Sequence, residues 1–245
     1  MWCNEDIKWI EQNYPGLRQI DSSTFEGNLS FQMLRVNNKY YINPTDDLIK
    51  KVNEPDYLYI CDSYKIKIIW DEKWSYPTTY EVGGRLASVA SRLGKNLHDL
   101  HQFPANASLC LASPMDLINK FRSGFKIKEF VEDYLVPYFF AQSHYAQKQE
   151  WLWGELSHGY VGLLEWLGRL EKYTDQDSKV TYYTLFLYAD KDKILELLNS
   201  RCRNHKPCPC GSGKKTRNCH SDLQVGITKI RGAISRGYIK KGDYI

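Results

Sequence analysis

The pattern of apolar and polar positions changes character near the middle of this 245-residue chain. Residues 4–14 place Ile7, Trp9 and Ile10 at helical spacing, and Pro15-Gly16 closes that helix. Strand-like runs follow. Phe25 and Leu29–Val36 lead to a turn at Asn37-Asn38-Lys39, and Tyr40–Ile42 pairs back as a hairpin. Tyr57–Cys61 and Lys65–Trp70 read as two more strands, with Ile66, Ile68 and Trp70 alternating onto one face. Residues 71–83 read as irregular, and a helix is expected over Arg85–Gly94. A loop then reaches the short apolar segment Ser108–Leu111.

Beyond Cys110 the periodicity is helical. Pro114 suits the first turn of a helix running to Phe121. A longer helix covers Ile127–Gln147, with Phe130, Tyr134, Val136 and Phe140 on its apolar stripe and a kink expected at Pro137. Gly162–Tyr173, Thr181–Asn199 and Leu223–Arg236 complete the helical set. Helix, four strands, then helices is the order of an α+β fold, a sheet with helices to one side.

The most specific chemistry lies near the C-terminus, in Cys208-Pro-Cys210-Gly-Ser-Gly-Lys-Lys-Thr-Arg-Asn-Cys219-His220. Three thiolates and one imidazole form a closed tetrahedral set for zinc, with no position left for water. Gly211 and Gly213 let the backbone fold tightly around such an ion. A phosphate loop is excluded, because Cys208 stands where that loop needs its first glycine. Seven cysteines, an odd number in a chain large enough to fold without staples, argue against a disulfide framework. The segment resembles the SEC-C motif, the zinc-binding tail of the SecA translocation ATPase and of many unrelated bacterial proteins. That resemblance implies one structural Zn²⁺ per chain.

Hydrophobic content of 42% and charged content of 25% are those of an ordinary globular protein. No run of eighteen apolar residues suggests a membrane span, and Met1-Trp-Cys-Asn-Glu-Asp lacks the character of a signal peptide. A reducing, cytoplasmic setting is therefore expected. The net charge of +4 is uneven, since residues 201–245 carry eleven Lys/Arg against two Asp/Glu and the remainder 22 against 27. No aromatic-interleaved basic stripe accompanies that tail, so a solvated tail is expected and nucleic acid is not the expected partner.

Four cysteines stand apart from the zinc pattern. Cys3 lies near the terminus, Cys61 ends an apolar strand, and Cys202 is a spare or alternative ligand. Cys110 follows a loop rich in His, Asn and Pro and precedes Pro114 and a helix, a setting in which a thiol can meet polar groups. Residues 14–122 resemble the ubiquitin-conjugating (UBC) fold in a divergent bacterial form. The resemblance rests on Tyr14-Pro15, Phe25-Glu-Gly-Asn-Leu-Ser-Phe31, Tyr40-Tyr-Ile-Asn-Pro44, Tyr76-Pro77, Leu100-His101 and Ser108-Leu-Cys110-Leu111. The run Trp151-Leu-Trp-Gly-Glu-Leu-Ser-His158-Gly159 resembles a segment of bacterial relatives that sit beside cGAS-like nucleotidyltransferases in phage-defence (CBASS) operons.

The resemblance implies a four-stranded antiparallel meander with flanking helices, extended by C-terminal helices and a small zinc module. The implied domains are a catalytic domain over residues 1–175, a linking helix over 176–200 and a zinc module with basic tail over 201–245. Cys110 would take the C-terminal glycine of a partner, a ubiquitin-like protein or a cGAS-like nucleotidyltransferase, as a thioester in antiviral defence. His101 and His158 are the implied proton carriers, with His98 and His144 behind them. The family's His-Pro-Asn tripeptide is replaced by Leu100-His101-Gln102-Phe103-Pro104, so Asn106 or Gln102 would serve as the oxyanion amide. Three other functions are open to this sequence: an inactive adaptor of the same fold docking through its zinc module, a Cys-His hydrolase that cleaves conjugates, and a nucleic-acid binder using the basic tail.

Overall fold

The computed structural model describes residues 2–37, 39–51, 57–71, 75–103, 106–153, 157–199 and 204–240. The chain packs as two compact units, Met1–Trp153 and Gly154–Ile245. It is a mixed α+β protein, with its antiparallel sheet in the first unit.

The first unit opens with helix α1 (Asn4–Asn13), whose N-cap is Cys3. Strand β1 (Leu17–Asp21) turns back on β2 (Thr24–Val36), and β3 (Lys39–Ile42) forms the expected hairpin with the far end of β2. The short helix α2 (Asp46–Lys51) precedes β4 (Tyr57–Ile69), and β5 (Thr78–Glu81) completes the sheet. The order is β1-β2-β4-β5, with β3 paired to β2 off that path.

The sheet is antiparallel throughout, but it is not the expected four-stranded meander: β4 follows β3 in the chain yet pairs with β2, and the strands on the path differ from the expected four. Tyr57–Cys61 and Lys65–Trp70 are not separate strands. They are one continuous strand, β4, paired with β2 from Tyr57↔Val36 to Ile69↔Thr24. The polar residues between them, which read as a break, are held in place by partners. Asp62 accepts from Arg85 Nη2 at 2.6 Å and from Ser143 Oγ at 2.6 Å, and Ser30 Oγ donates to Ser63 Oγ at 3.1 Å. The segment 71–83, expected to be irregular, contains β5.

Helix α3 (Arg85–Leu93) ends at Gly94, whose left-handed φ of 62° a glycine adopts without strain. Ser113 caps α4 (Pro114–Phe121) by accepting from the Met115 N–H. The expected helix 127–147 is interrupted. It runs as α5 (Ile127–Phe130), a π-helical turn (Val131–Leu135) and α6 (Val136–Lys148). Pro137 lacks an N–H, and the wider turn just before it absorbs the break in the hydrogen-bond ladder. The helix packs over β4 and β2, so Phe130, Val136, Phe139 and Phe140 share one core with Phe25, Leu29, Tyr64, Ile66 and Ile68 of the sheet. Tyr64 Oη lies 3.0 Å from Ser143 Oγ, which joins sheet to helix through a buried polar contact.

The second unit holds α7 (Gly159–Arg169), α8 (Asp175–Leu185), α9 (Lys191–Asn199) and α10 (Ser221–Ser235). The expected helix 181–199 is two helices. Thr174 starts α8 with a reciprocal capping box to Asp177, and the chain turns at 186–190 before α9. Helix α10 packs against α7, α8 and α9. The helical stretch 159–199 therefore belongs with the C-terminal segment, where a catalytic domain ending at 175 and a linking helix had been expected. The α7–α10 crossing is close: a Cβ on Gly226 would stand 2.1 Å from the Leu164 carbonyl oxygen.

Asp62→Ala removes the acceptor shared by Arg85 and Ser143, and a loss of about 1–2 kcal/mol is expected in denaturant unfolding. Burial disfavours the Asp62 carboxylate, but the Arg85 and Ser143 hydrogen bonds outweigh it and hold the group below the usual carboxylate range. Its contribution is thus full above about pH 4 and fades as pH falls through the lowered value. Acid unfolding of Asp62→Ala should show a correspondingly smaller pH dependence.

Candidate functional site

Two clusters carry chemistry, one in each unit. The first surrounds Cys110. A short 3₁₀ turn, Leu97–Leu100, ends at His101, which adopts a left-handed φ of 55° and sends the chain back. Residues 101–103 then pair with 108–110: the Phe103 N–H donates to the Ser108 carbonyl and the Cys110 N–H to the His101 carbonyl, both at 2.8 Å. The Leu109 N–H donates to the Thr79 carbonyl at 2.8 Å, so this small hairpin continues the sheet beyond β5. Leu109 is buried and Cys110 is partly buried.

From α6, Tyr138 Oη and Gln142 Nε2 donate to the Leu100 carbonyl at 3.0 and 2.7 Å. Tyr138 Oη also lies 3.3 Å from the His101 carbonyl. The site is therefore anchored to the same helix that roofs the core. Sequence reasoning missed this pair. Its signal was two polar side chains four residues apart within an apolar helix, a spacing that places them on one face.

The expected residues have distinct fates. The structure brings Cys110 and His101 together through their backbones. The His101 ring meets Trp151 edge-on at 4.7 Å between centroids, and burial followed by the nearby His98 pushes its pKa down. Burial pushes the Cys110 thiol up to about 11, and its sulfur lies 3.8 Å from the Ala112 carbonyl. Asn106 Oδ1 accepts from both the N–H and the Oγ of Ser108, at 3.1 and 2.8 Å, so that oxygen shapes the turn. Gln102 is buried, with Oε1 lacking a hydrogen-bond partner. His144 Nδ1 lies 2.9 Å from the Glu150 carbonyl. His158 belongs to the second unit, where it precedes α7 as its N-cap residue. Pro104 and Cys202 lie outside the described residues.

The second cluster is a knuckle leading into α10. The Cys208 N–H donates to the Lys214 carbonyl at 2.7 Å and Pro207 bridges Lys215, closing a tight loop in which Gly211 and Gly213 have φ of 84° and 71°. Cys208, Cys210, Cys219 and His220 each offer one ligand atom, all within 4.8 Å of one another. The Cys210 and Cys219 sulfurs are 3.6 Å apart. Two thiolates about 2.3 Å from a tetrahedral zinc stand about 3.8 Å apart, so the donor set fits such an ion. Burial disfavours both thiolates, most clearly that of Cys208, while hydrogen bonds from Ser212 favour that of Cys210. The cluster can hold a metal ion.

No family model, curated protein or solved structure matches this chain. The reading of both clusters therefore stands on their own geometry. No helix among the described residues is long and apolar enough to cross a membrane.

The raised Cys110 value gives a direct expectation. The thiolate is the nucleophile, so alkylation of Cys110 should accelerate about tenfold per pH unit and show no plateau below about pH 10. Mass-spectrometric timing of iodoacetamide uptake on the Cys110 peptide checks this, and a plateau by about pH 9.5 would mean an ordinary thiol of pKa about 8.5.

Proposed function

We propose that the first unit is a bacterial ubiquitin-conjugating-like domain that carries the C-terminal glycine of a partner protein as a thioester on Cys110. The partner is a ubiquitin-like protein or a cGAS-like nucleotidyltransferase, and the setting is antiviral defence. The observation that carries this reading is the placement of Cys110. It is partly exposed, on a hairpin that continues the sheet past β5, paired by its N–H to the His101 carbonyl and followed at once by α4.

The chemistry follows from that placement. The Cys110 sulfur attacks the activated carbonyl of the incoming acyl group and a C–S bond forms. The tetrahedral intermediate expels the donor thiol or adenylate, and the proton of Cys110 passes to a base or to the departing thiolate. Burial keeps the free thiol protonated at neutral pH, so the site is quiet until a donor arrives. A basic thiolate also receives an acyl group readily from a donor thiol of ordinary pKa, because the more acidic sulfur is the better leaving group. His101, held neutral by its surroundings, is the nearest imidazole in sequence and the proposed proton acceptor.

The cluster in the second unit is proposed as a structural zinc site, in which Cys208, Cys210, Cys219 and His220 hold the ion. Bound zinc would supply folding free energy to the knuckle and no chemistry at Cys110.

A second reading is an inactive adaptor of the same fold. It is favoured by the protonated state of Cys110 and by the use of Asn106 Oδ1 in its own turn.

Incubation with the activated partner should give an adduct on non-reducing gels that thiol reagents reverse, and Cys110→Lys should give one that they do not. Absence of any adduct on either variant favours the adaptor. Metal analysis should find about one zinc per chain, retained in Cys110→Lys and lost in Cys208→Ser/Cys210→Ser.

A further inference from the structure

The imidazole of His220 has two nitrogens with different neighbours. Nδ1 lies 2.9 Å from the Cys208 sulfur, on the metal side. Nε2 lies 2.5 Å from the Oγ of Ser157, a residue outside the knuckle and just ahead of α7. A metal-bound histidine needs its other N–H directed at an acceptor, because that bond selects the tautomer and fixes the ring plane. Ser157 is in turn held at two points. Its N–H donates to Glu165 Oε2 at 3.0 Å, and Glu165 is a buried carboxylate of α7. Its carbonyl lies against Gly162, where a Cβ would fall 1.5 Å from the oxygen, so only a glycine admits this path. A neighbouring contact acts in parallel: Tyr160 Oη of α7 donates to the Pro209 carbonyl at 2.9 Å.

We propose that Ser157 is the positioning residue of the metal site. It accepts the Nε2–H of neutral His220 and thereby presents the Nδ1 lone pair to the ion. Metal binding and docking of the knuckle on α7 then become one event, with Ser157 as the link between them. The cluster motif contains four ligands, and Ser157 supplies the fifth requirement, an oriented ring. This inference rests on the metal reading of the cluster.

The test is zinc affinity of the full chain by chelator competition, with the absorption spectrum of the Co²⁺-substituted protein and ¹⁵N spectra of the histidine rings. Ser157→Ala should bind one ion about 10–100-fold more weakly. Its Co²⁺ spectrum should remain tetrahedral, and its His220 Nε2–H signal should be lost to solvent exchange. Ser157→Thr, which keeps the hydroxyl, should stay near the wild-type affinity and keep that signal. Tyr160→Phe loosens docking without touching the ring and should leave the Nε2–H signal in place. Wild-type affinity and an unchanged Nε2–H signal in Ser157→Ala would overturn the proposal. Failure of the wild-type chain to bind either ion would instead overturn the metal reading itself, so the two failures are distinct.

Discussion

The first unit depends on one ladder. Strands β2 and β4, each thirteen residues long, pair along their entire length. Side chains alternate between the faces of a strand, so a slip of one residue would put Phe25 and Leu29 on the face opposite to Ile66 and Ile68, and one pair would leave the core. The ladder thus has one register with a buried face and no near competitor. Everything at the Cys110 site inherits that register. Strand β5 is placed by β4, the Thr79 carbonyl by β5, and Leu109 by that carbonyl. Helix α6 lies over the same two strands and reaches the site from the other side, through Tyr138 and Gln142.

How much of this was legible depended on whether the signal was local. Helix α1, the β2–β3 hairpin, α3 with its Gly94 terminus, α4 behind Ser113 and α10 were all written in neighbouring residues. Strand β4 was not. Asp62-Ser63 has the composition of a turn, and its extended conformation is secured by Arg85, Ser143 and Ser30, which lie far away in sequence. Strand β1 hides for another reason: only Leu17 of its five residues is buried, so no alternation marks it. Strand β5 is short and built from Thr, Tyr and Glu, with a partner on β4 that no local pattern announces. The break between α8 and α9 was obscured by Leu187 and Tyr188. These large apolar residues extend the helical pattern, yet they are exposed in the connecting turn.

The two clusters divide in the same way. All four potential metal ligands lie between Cys208 and His220, and cysteine spacing alone brings them together. What orients them comes from elsewhere, since Ser157 and His220 are 63 residues apart. At Cys110 the position of the sulfur in the chain was readable, but its environment was not. Its backbone is set by Thr79 and His101, and Leu100 and His101 are set by a helix that begins at Val136. A reading confined to local residues finds the sulfur and misses the burial that decides its protonation state.

That protonation state also separates the two kinds of cysteine chemistry within one chain. A metal ion binds thiolate, and so does an electrophile, which puts a free reactive thiol and a thiolate cluster in competition for both. Burial raises Cys110, so at neutral pH its sulfur is almost entirely uncharged and a poor ligand. The knuckle concentrates four donors within one small loop, where each bond to an ion makes the next less costly in ordering entropy. On the proposed reading, a metal ion would go to the cluster and spare Cys110, while the departing thiolate of an acyl donor would take the proton of that sulfur. The same desolvation that slows the isolated thiol would, on that reading, keep its chemistry specific.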